Sequence, residues 1–120
     1  MVIFTLLAEF ETQQQMRTSL ATEPLFLAKF MHCAGTVLDT TRLSFGVARM
    51  ASRIAELCWR LRLHSDASVR RSVLFAFSRA VLAAPEVQTQ ETAEWLEETL
   101  RDDPDEICRQ FSNLLLGKDP

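Results

Sequence analysis

The strongest constraint on this chain is a motif that returns. Asp66-Ala67-Ser68-Val69-Arg70 sets an aspartate, a small apolar residue three positions on, and then an arginine. Asp105-Glu106-Ile107-Cys108-Arg109 restates that frame 39 residues later. Each copy opens a segment with helical periodicity. After the helix-start signal Ser65-Asp66, apolar residues fall at Val69, Val73, Phe77, Ala80 and Val81, which share one face of a 3.6-residue period. An interval near 40 residues is the length of a helix–turn–helix unit that buries its apolar face against the next unit.

The rest of the chain divides into such units. The sequence predicts six helices in three antiparallel pairs, at about residues 2–39, 43–84 and 89–117. That is an all-α class: a single domain over residues 1–120, built as a segment of α-solenoid of the HEAT or armadillo kind. Helix one is expected from Val2 to about Leu20, with Ile3, Phe4, Leu6, Leu7 and Phe10 turned inward. It opens inside an amphipathic pattern without a cap, as a piece of a longer solenoid would. Thr22-Glu23-Pro24 reads as a cap with proline in the first turn. Helix two then runs to about Leu38 with Leu27, Phe30, Met31, Ala34 and Leu38 three or four apart. Gly35 lies inside it and costs helix propensity, which points to the close approach of a neighbouring helix. Helix three is expected from about Leu43 to His64, with Val47, Met50, Ile54, Leu57, Cys58 and Leu61 as its buried stripe and Arg49, Arg53, Arg60 and Arg62 off it. Helix four, the opening stretch, stops before Pro85. Helix five is expected from about Thr89 to Arg101, with Trp95, Leu96 and Leu100 inward. Asp103-Pro104-Asp105-Glu106 reads as an N-cap, a proline in the first helical position and a capping-box acid. Helix six follows with Ile107, Phe111, Leu114 and Leu115 inward, and Gly117 suits a left-handed C′ position. Absent tyrosine and sparse β-branched residues give strands little support.

The three cysteines, Cys33, Cys58 and Cys108, are widely spaced and odd in number, which argues against a disulfide framework and for a reducing compartment. Met1 to Ala8 is apolar, but it carries no basic leader and Glu9 interrupts it. It is neither signal peptide nor membrane span. Charge is unevenly placed: −2 over residues 1–40, +6 over 41–84 and −7 over 85–120. Such polarity fits recognition of a charged partner, or attraction between adjacent repeats.

Asp66 and Asp105 sit where a carboxylate can cap a helix N-terminus. Arg70 and Arg109, four residues on, share a face with them and can also reach an aspartate of the adjacent repeat. The motif is thus read as a repeat-to-repeat hydrogen-bond ladder. Trp59 and Trp95 take core positions by pattern. Arg60, Arg62 and Arg71, close to Arg70 at the turn between helices three and four, are candidates for binding an acidic partner or phosphates. No aromatic platform accompanies them and the chain is acidic overall, so nucleic acid is disfavoured. His32-Cys33 lacks the second pair that a zinc site needs. His64, at the end of helix three, is expected to cap it as a cation. No nucleotide-binding loop, nucleophile elbow or metalloprotease motif occurs. The reading is a non-enzyme with no cofactor and no metal.

Cys58-Trp59-Arg60-Leu61-Arg62-Leu63-His64, followed by Asp66, Val69-Arg70 and Leu74, resembles the C-terminal region of the telomere-length-regulation (Tel-two/TELO-two) family. So do Glu94-Trp95-Leu96, Asp102-Asp103-Pro104-Asp105-Glu106 and Cys108-Arg109 and, more loosely, Phe30 to Gly35. The link between Pro85 and Trp95 is shorter than in that family. The resemblance implies a HEAT-repeat scaffold without enzymatic activity. It implies membership of the Triple-T complex, with the Tti-one subunit as first partner and Tti-two as second. It further implies, with heat-shock-ninety chaperone adaptors, a co-chaperone role in the maturation and stability of phosphatidylinositol-3-kinase-related kinases. Links to telomere maintenance and DNA-damage signalling, and a cytoplasmic and nuclear location, follow from the same resemblance. Two alternatives stand beside it: a telomeric-DNA module using Arg60, Arg62, Arg70 and Arg71, and a generic HEAT-repeat adaptor.

Overall fold

A computed structural model describes residues 23–41 and 46–117 of the chain. They form five α-helices, not six, and no strand occurs among them. The helices are α1 (Pro24–Thr41), α2 (Val47–Leu61), α3 (Ala67–Ala83), α4 (Gln90–Asp102) and α5 (Glu106–Leu115), with one 3₁₀ turn, Pro85–Val87, between α3 and α4. The expected helix over Val2 to Leu20 lies outside the described residues.

α3 is the helix around which the others assemble. It packs against α1 along much of its length, against α2 as its hairpin partner, and against α5. This explains why its burial exceeds the single stripe read from the sequence. Val69, Val73, Phe77 and Ala80 are buried as expected, but Leu74 and Ala76 are buried too, because a helix with neighbours on three sides needs a wider apolar surface than an amphipathic one. α1 contributes Leu27, Met31, Ala34 and Leu38 to this core, and α2 contributes Met50, Ile54, Leu57 and Cys58. Gly35 permits the approach of α1 to α3: a Cβ there would stand 2.7 Å from the Phe75 ring and 3.1 Å from the Ala76 Cα.

Helix boundaries follow local chemistry. Pro24 begins α1, where its missing N–H costs nothing. α2 begins at Val47, later than the pattern suggested, after Gly46 in the left-handed region at φ 84°, which few other residues adopt. α4 starts from a reciprocal cap: the Thr89 hydroxyl accepts the Thr92 N–H at 3.2 Å, and the Thr92 hydroxyl accepts the Thr89 N–H at 2.7 Å. Gly117, at φ 70°, ends α5 with its N–H on the Leu114 carbonyl at 3.1 Å, as a C′ glycine does.

Two sequence expectations at the last helix are corrected. The N-cap of α5 is Asp105, not Asp103, and Pro104 precedes the helix instead of opening it. Ile107 and Leu114, expected inward, are 42% and 74% exposed; the fully buried positions are Cys108 and Ser112. The helix is rotated so that its smaller residues meet α3.

Candidate functional site: the turns that join the helical hairpins

The repeated motif lies in two equivalent turns, one joining α2 to α3 and the other joining α4 to α5. Asp66 and Asp105 adopt nearly the same backbone conformation, with φ −86° in both and ψ 126° and 123°. Each caps its helix. The Asp66 carboxylate accepts the Ser68 N–H at 2.8 Å and the Ser68 hydroxyl at 2.7 Å, and the Asp105 carboxylate accepts the Cys108 N–H at 2.9 Å. Two residues before each cap, a side chain accepts the cap's own N–H: His64 Nδ1 at 3.0 Å from Asp66 N, and Asp103 Oδ1 at 2.8 Å from Asp105 N. Four residues after each cap, an arginine reaches back to the carbonyl six positions earlier. Arg70 Nη1 donates to His64 O at 2.9 Å, and Arg109 Nη1 to Asp103 O at 2.7 Å. The 39-residue recurrence is therefore a recurrence of geometry.

Neither aspartate pairs with the arginine four residues on, because Ser68 occupies the Asp66 carboxylate and Arg71 and the Cys108 N–H occupy that of Asp105. Arg70 instead crosses to the next hairpin. Its Nε donates to Asp103 Oδ2 at 2.9 Å and its Nη2 to Asp103 Oδ1 at 3.1 Å, while Nη1 holds the His64 and Ser65 carbonyls, each at 2.9 Å. Planarity lets one guanidinium span a carboxylate and two carbonyls at once. Arg71 makes a second crossing, donating to both Asp105 oxygens at 3.0 and 2.5 Å. The two rungs differ in setting. The Arg70 and Asp103 side chains are 14% and 9% exposed, whereas Arg71 is 44% exposed.

Electrostatics follows these contacts. The hydrogen bond from Arg71 is the main reason the Asp105 carboxyl is held far below its usual range, and that from the Ser68 hydroxyl lowers Asp66. Hydrogen bonding to Asp103 raises Arg70. Burial pushes the Cys108 thiol up to about 12 and the Cys58 thiol upward as well. Neither supplies a thiolate nucleophile near neutrality. Cys58 Sγ donates to the Val73 carbonyl at 3.4 Å instead, tying α2 to α3.

Beside the rungs lies an aromatic seam. Trp95 on α4 meets Phe77 edge-on at 5.2 Å and Trp59 at 6.3 Å. Trp95 is buried. Trp59, expected in the core, is half-buried and covered from outside by Arg62, whose Cζ stands 3.6 Å over its ring and whose Nη1 donates to the Trp59 carbonyl at 2.6 Å. Of the arginines proposed to meet a partner, Arg62 and Arg71 thus hold the fold together, and Arg60 remains exposed beside Trp59 and Glu56. The His64 ring turns to the next helix, its Nδ1 accepting the Asp66 N–H at 3.0 Å. His32 stacks on Phe75 at 4.7 Å, and Cys33 is exposed.

Sequence reasoning missed Asp103 as the acceptor of Arg70. Extending the 39-residue offset two positions back from each cap, to His64 and Asp103, would have found it. Both residue types can take a backbone N–H, but only the aspartate can also receive a guanidinium.

No family model and no solved structure matches the chain. Curated relatives do. The chain is 28% identical over 117 residues to the Telomere length regulation protein TEL2 homolog of Xenopus tropicalis, a match covering 91% of this chain and 14% of the relative. It is 29% identical over 117 residues to the human protein of that name and 26% identical to that of Mus musculus, with the same coverage. The chain is thus similar to telomere-length-regulation (TEL2) homologs and spans 14% of their length.

Proposed function

We propose that this chain is a non-enzymatic scaffold segment, a short run of HEAT-like solenoid from the C-terminal region of its family. In this reading it binds other subunits of the Triple-T complex, Tti-one first and Tti-two with it. Together with heat-shock-ninety chaperone adaptors it supports the maturation of phosphatidylinositol-3-kinase-related kinases, in cytoplasm and nucleus. The observation that carries the reading is the pair of rungs from α3 to the turn before α5. The chain's most distinctive charged residues are committed to stacking one helical hairpin on the next, which is how an extended binding surface is built. The similarity to TEL2 homologs and the repeat geometry support it together.

The nucleic-acid reading draws less support. Arg70 and Arg71 are neutralised by Asp103 and Asp105, and Arg62 lies against Trp59, so few cations remain for phosphates. The test is capture of purified Tti-one subunit by the purified chain at moderate salt, beside a titration with telomeric duplex. Stoichiometric capture supports the scaffold. Failure to capture the subunit, with duplex binding that weakens steeply with salt and with Arg60→Glu, would replace it with the nucleic-acid module.

A further inference from the structure

The C-terminal halves of α3 and α5 do not close on one another. α5 stops at Leu115, and between the two helices lies an open groove of about 330 Å³ walled by Val81, Leu82, Phe111, Leu114 and Leu115. Leu82 and Leu114 are 55% and 74% exposed, and none of the lining residues is acidic. The one charged residue of the lining is Arg79. Its Nε is shut off from solvent and donates to nothing among the described residues, and its guanidinium stands 5.0 Å from the Phe75 ring. Arg79 lines the groove, and a carboxylate supplied there would give its guanidinium a charge-assisted partner.

We infer that this groove docks an amphipathic helix of a partner protein, one that places leucine-like anchors between α3 and α5 and an acidic residue on Arg79. The apolar walls fit helix-in-groove recognition, in which anchors recur at three- and four-residue spacing. The cation selects the sign of the flanking charge. The most acidic helix of a second copy, α4, does not fit this description. It buries its large apolar residues Trp95 and Leu96 while exposing Glu91, Glu94, Glu97 and Glu98. It has carboxylates to offer but no anchors. The inference rests on the scaffold reading, because it gives that reading a surface and a partner chemistry.

The test titrates the intact 120-residue chain into two fluorescein-labelled model helices of about 18 residues. Both carry leucine at helical spacing; one has glutamate on its polar face and the other lysine. The leucine–glutamate helix is expected to bind and the leucine–lysine helix to bind at least about tenfold more weakly. Leu114→Glu and Arg79→Gln should each weaken the first by about tenfold, and Lys29→Gln, on α1 and exposed away from the groove lining, should leave it unchanged. Leu82→Glu is the second groove variant should Leu114→Glu perturb folding by circular dichroism. No binding, equal binding of both helices, binding indifferent to the groove variants, or concentration-dependent self-association through the groove each overturns the inference. Capture of Tti-one that survives Leu114→Glu would sink the groove and leave the scaffold standing, whereas loss of all capture by the unaltered chain would sink the scaffold itself.

Discussion

Asp103→Ala is the substitution that presses hardest on the stacking of the two hairpins. The carboxylate receives two bonds from Arg70, at 2.9 and 3.1 Å, and the Asp105 N–H at 2.8 Å. Removing one member of a buried pair costs about 3–5 kcal/mol. Here water reaches the edge of the pair and Arg70 keeps its two carbonyls, which lowers the expectation for the ion pair to about 1–2 kcal/mol, between the surface and the buried case. The orphaned Asp105 N–H adds about 1 kcal/mol. The sum, about 2–3 kcal/mol, corresponds to a fall in Tm of about 10 °C for a chain of this size. A double-mutant cycle with Arg70→Met isolates the pair, and its coupling should be about 1–2 kcal/mol. The same cycle on Arg71 and Asp105 should give the smaller coupling, since Arg71 lies in solvent. Urea unfolding followed by circular dichroism at moderate salt measures both. A coupling for Arg70 and Asp103 below about 0.5 kcal/mol, or the reverse order of the two rungs, would refute this reasoning.

Three further outcomes follow from the structure. Gly35→Ala should destabilise by about 1–3 kcal/mol through overpacking, since the added Cβ meets the Phe75 ring and the Ala76 backbone; a rise in Tm from the better helix former would show that the contact yields. Asp105 and Asp66 have lowered carboxyl pKa values in the folded chain, so their contribution is complete above the ordinary carboxylate range near pH 4 and is lost as pH falls below it. Thermal melts between about pH 6 and 3 should show that decline, and Arg71→Gln should flatten it; an unchanged slope would mean that Arg71 does not hold Asp105. Alkylation of the native chain near pH 8 should label Cys33 quickly, leaving the buried Cys58 and Cys108 protected; mass spectrometry of the digested protein reads the sites, and rapid labelling of Cys108 would contradict its burial.

Much of this architecture was legible in residue spacing, and the exceptions have physical causes. The stripe Val47, Met50, Ile54, Leu57, Cys58, Leu61 predicted the buried face of α2, with Val47 in the first turn only partly covered, because an amphipathic helix with one packed side leaves a clean period. Gly35 announced a close contact because nothing else explains glycine inside a helix. α5 misled the pattern. Ile107 and Leu114 carry the apolar spacing, yet Cys108 and Ser112 take the buried positions, since a helix at the end of a stack has apolar residues that no neighbour covers. The site was read in half. The 39-residue frame located both caps and an arginine able to reach the adjacent repeat, but it did not name Asp103 as the acceptor, because that residue lies before the cap and outside the repeated frame. Arg62 and Arg71 looked like free cations because sequence cannot show that Trp59 and Asp105 lie beside them.

The stacking of α4 and α5 on α2 and α3 through Arg70 and the Trp95 seam is the central claim, and a proton NMR spectrum of the isotope-labelled chain tests it most directly. The structure predicts nuclear Overhauser contacts from the Trp95 ring to both Phe77 and Trp59, at centroid distances of 5.2 and 6.3 Å, together with an Arg70 Nε proton that exchanges slowly with water and speeds up in Asp103→Ala. A Trp95 ring with contacts only inside its own helix, and an Arg70 Nε proton that exchanges as fast as that of exposed Arg60, would contradict the account.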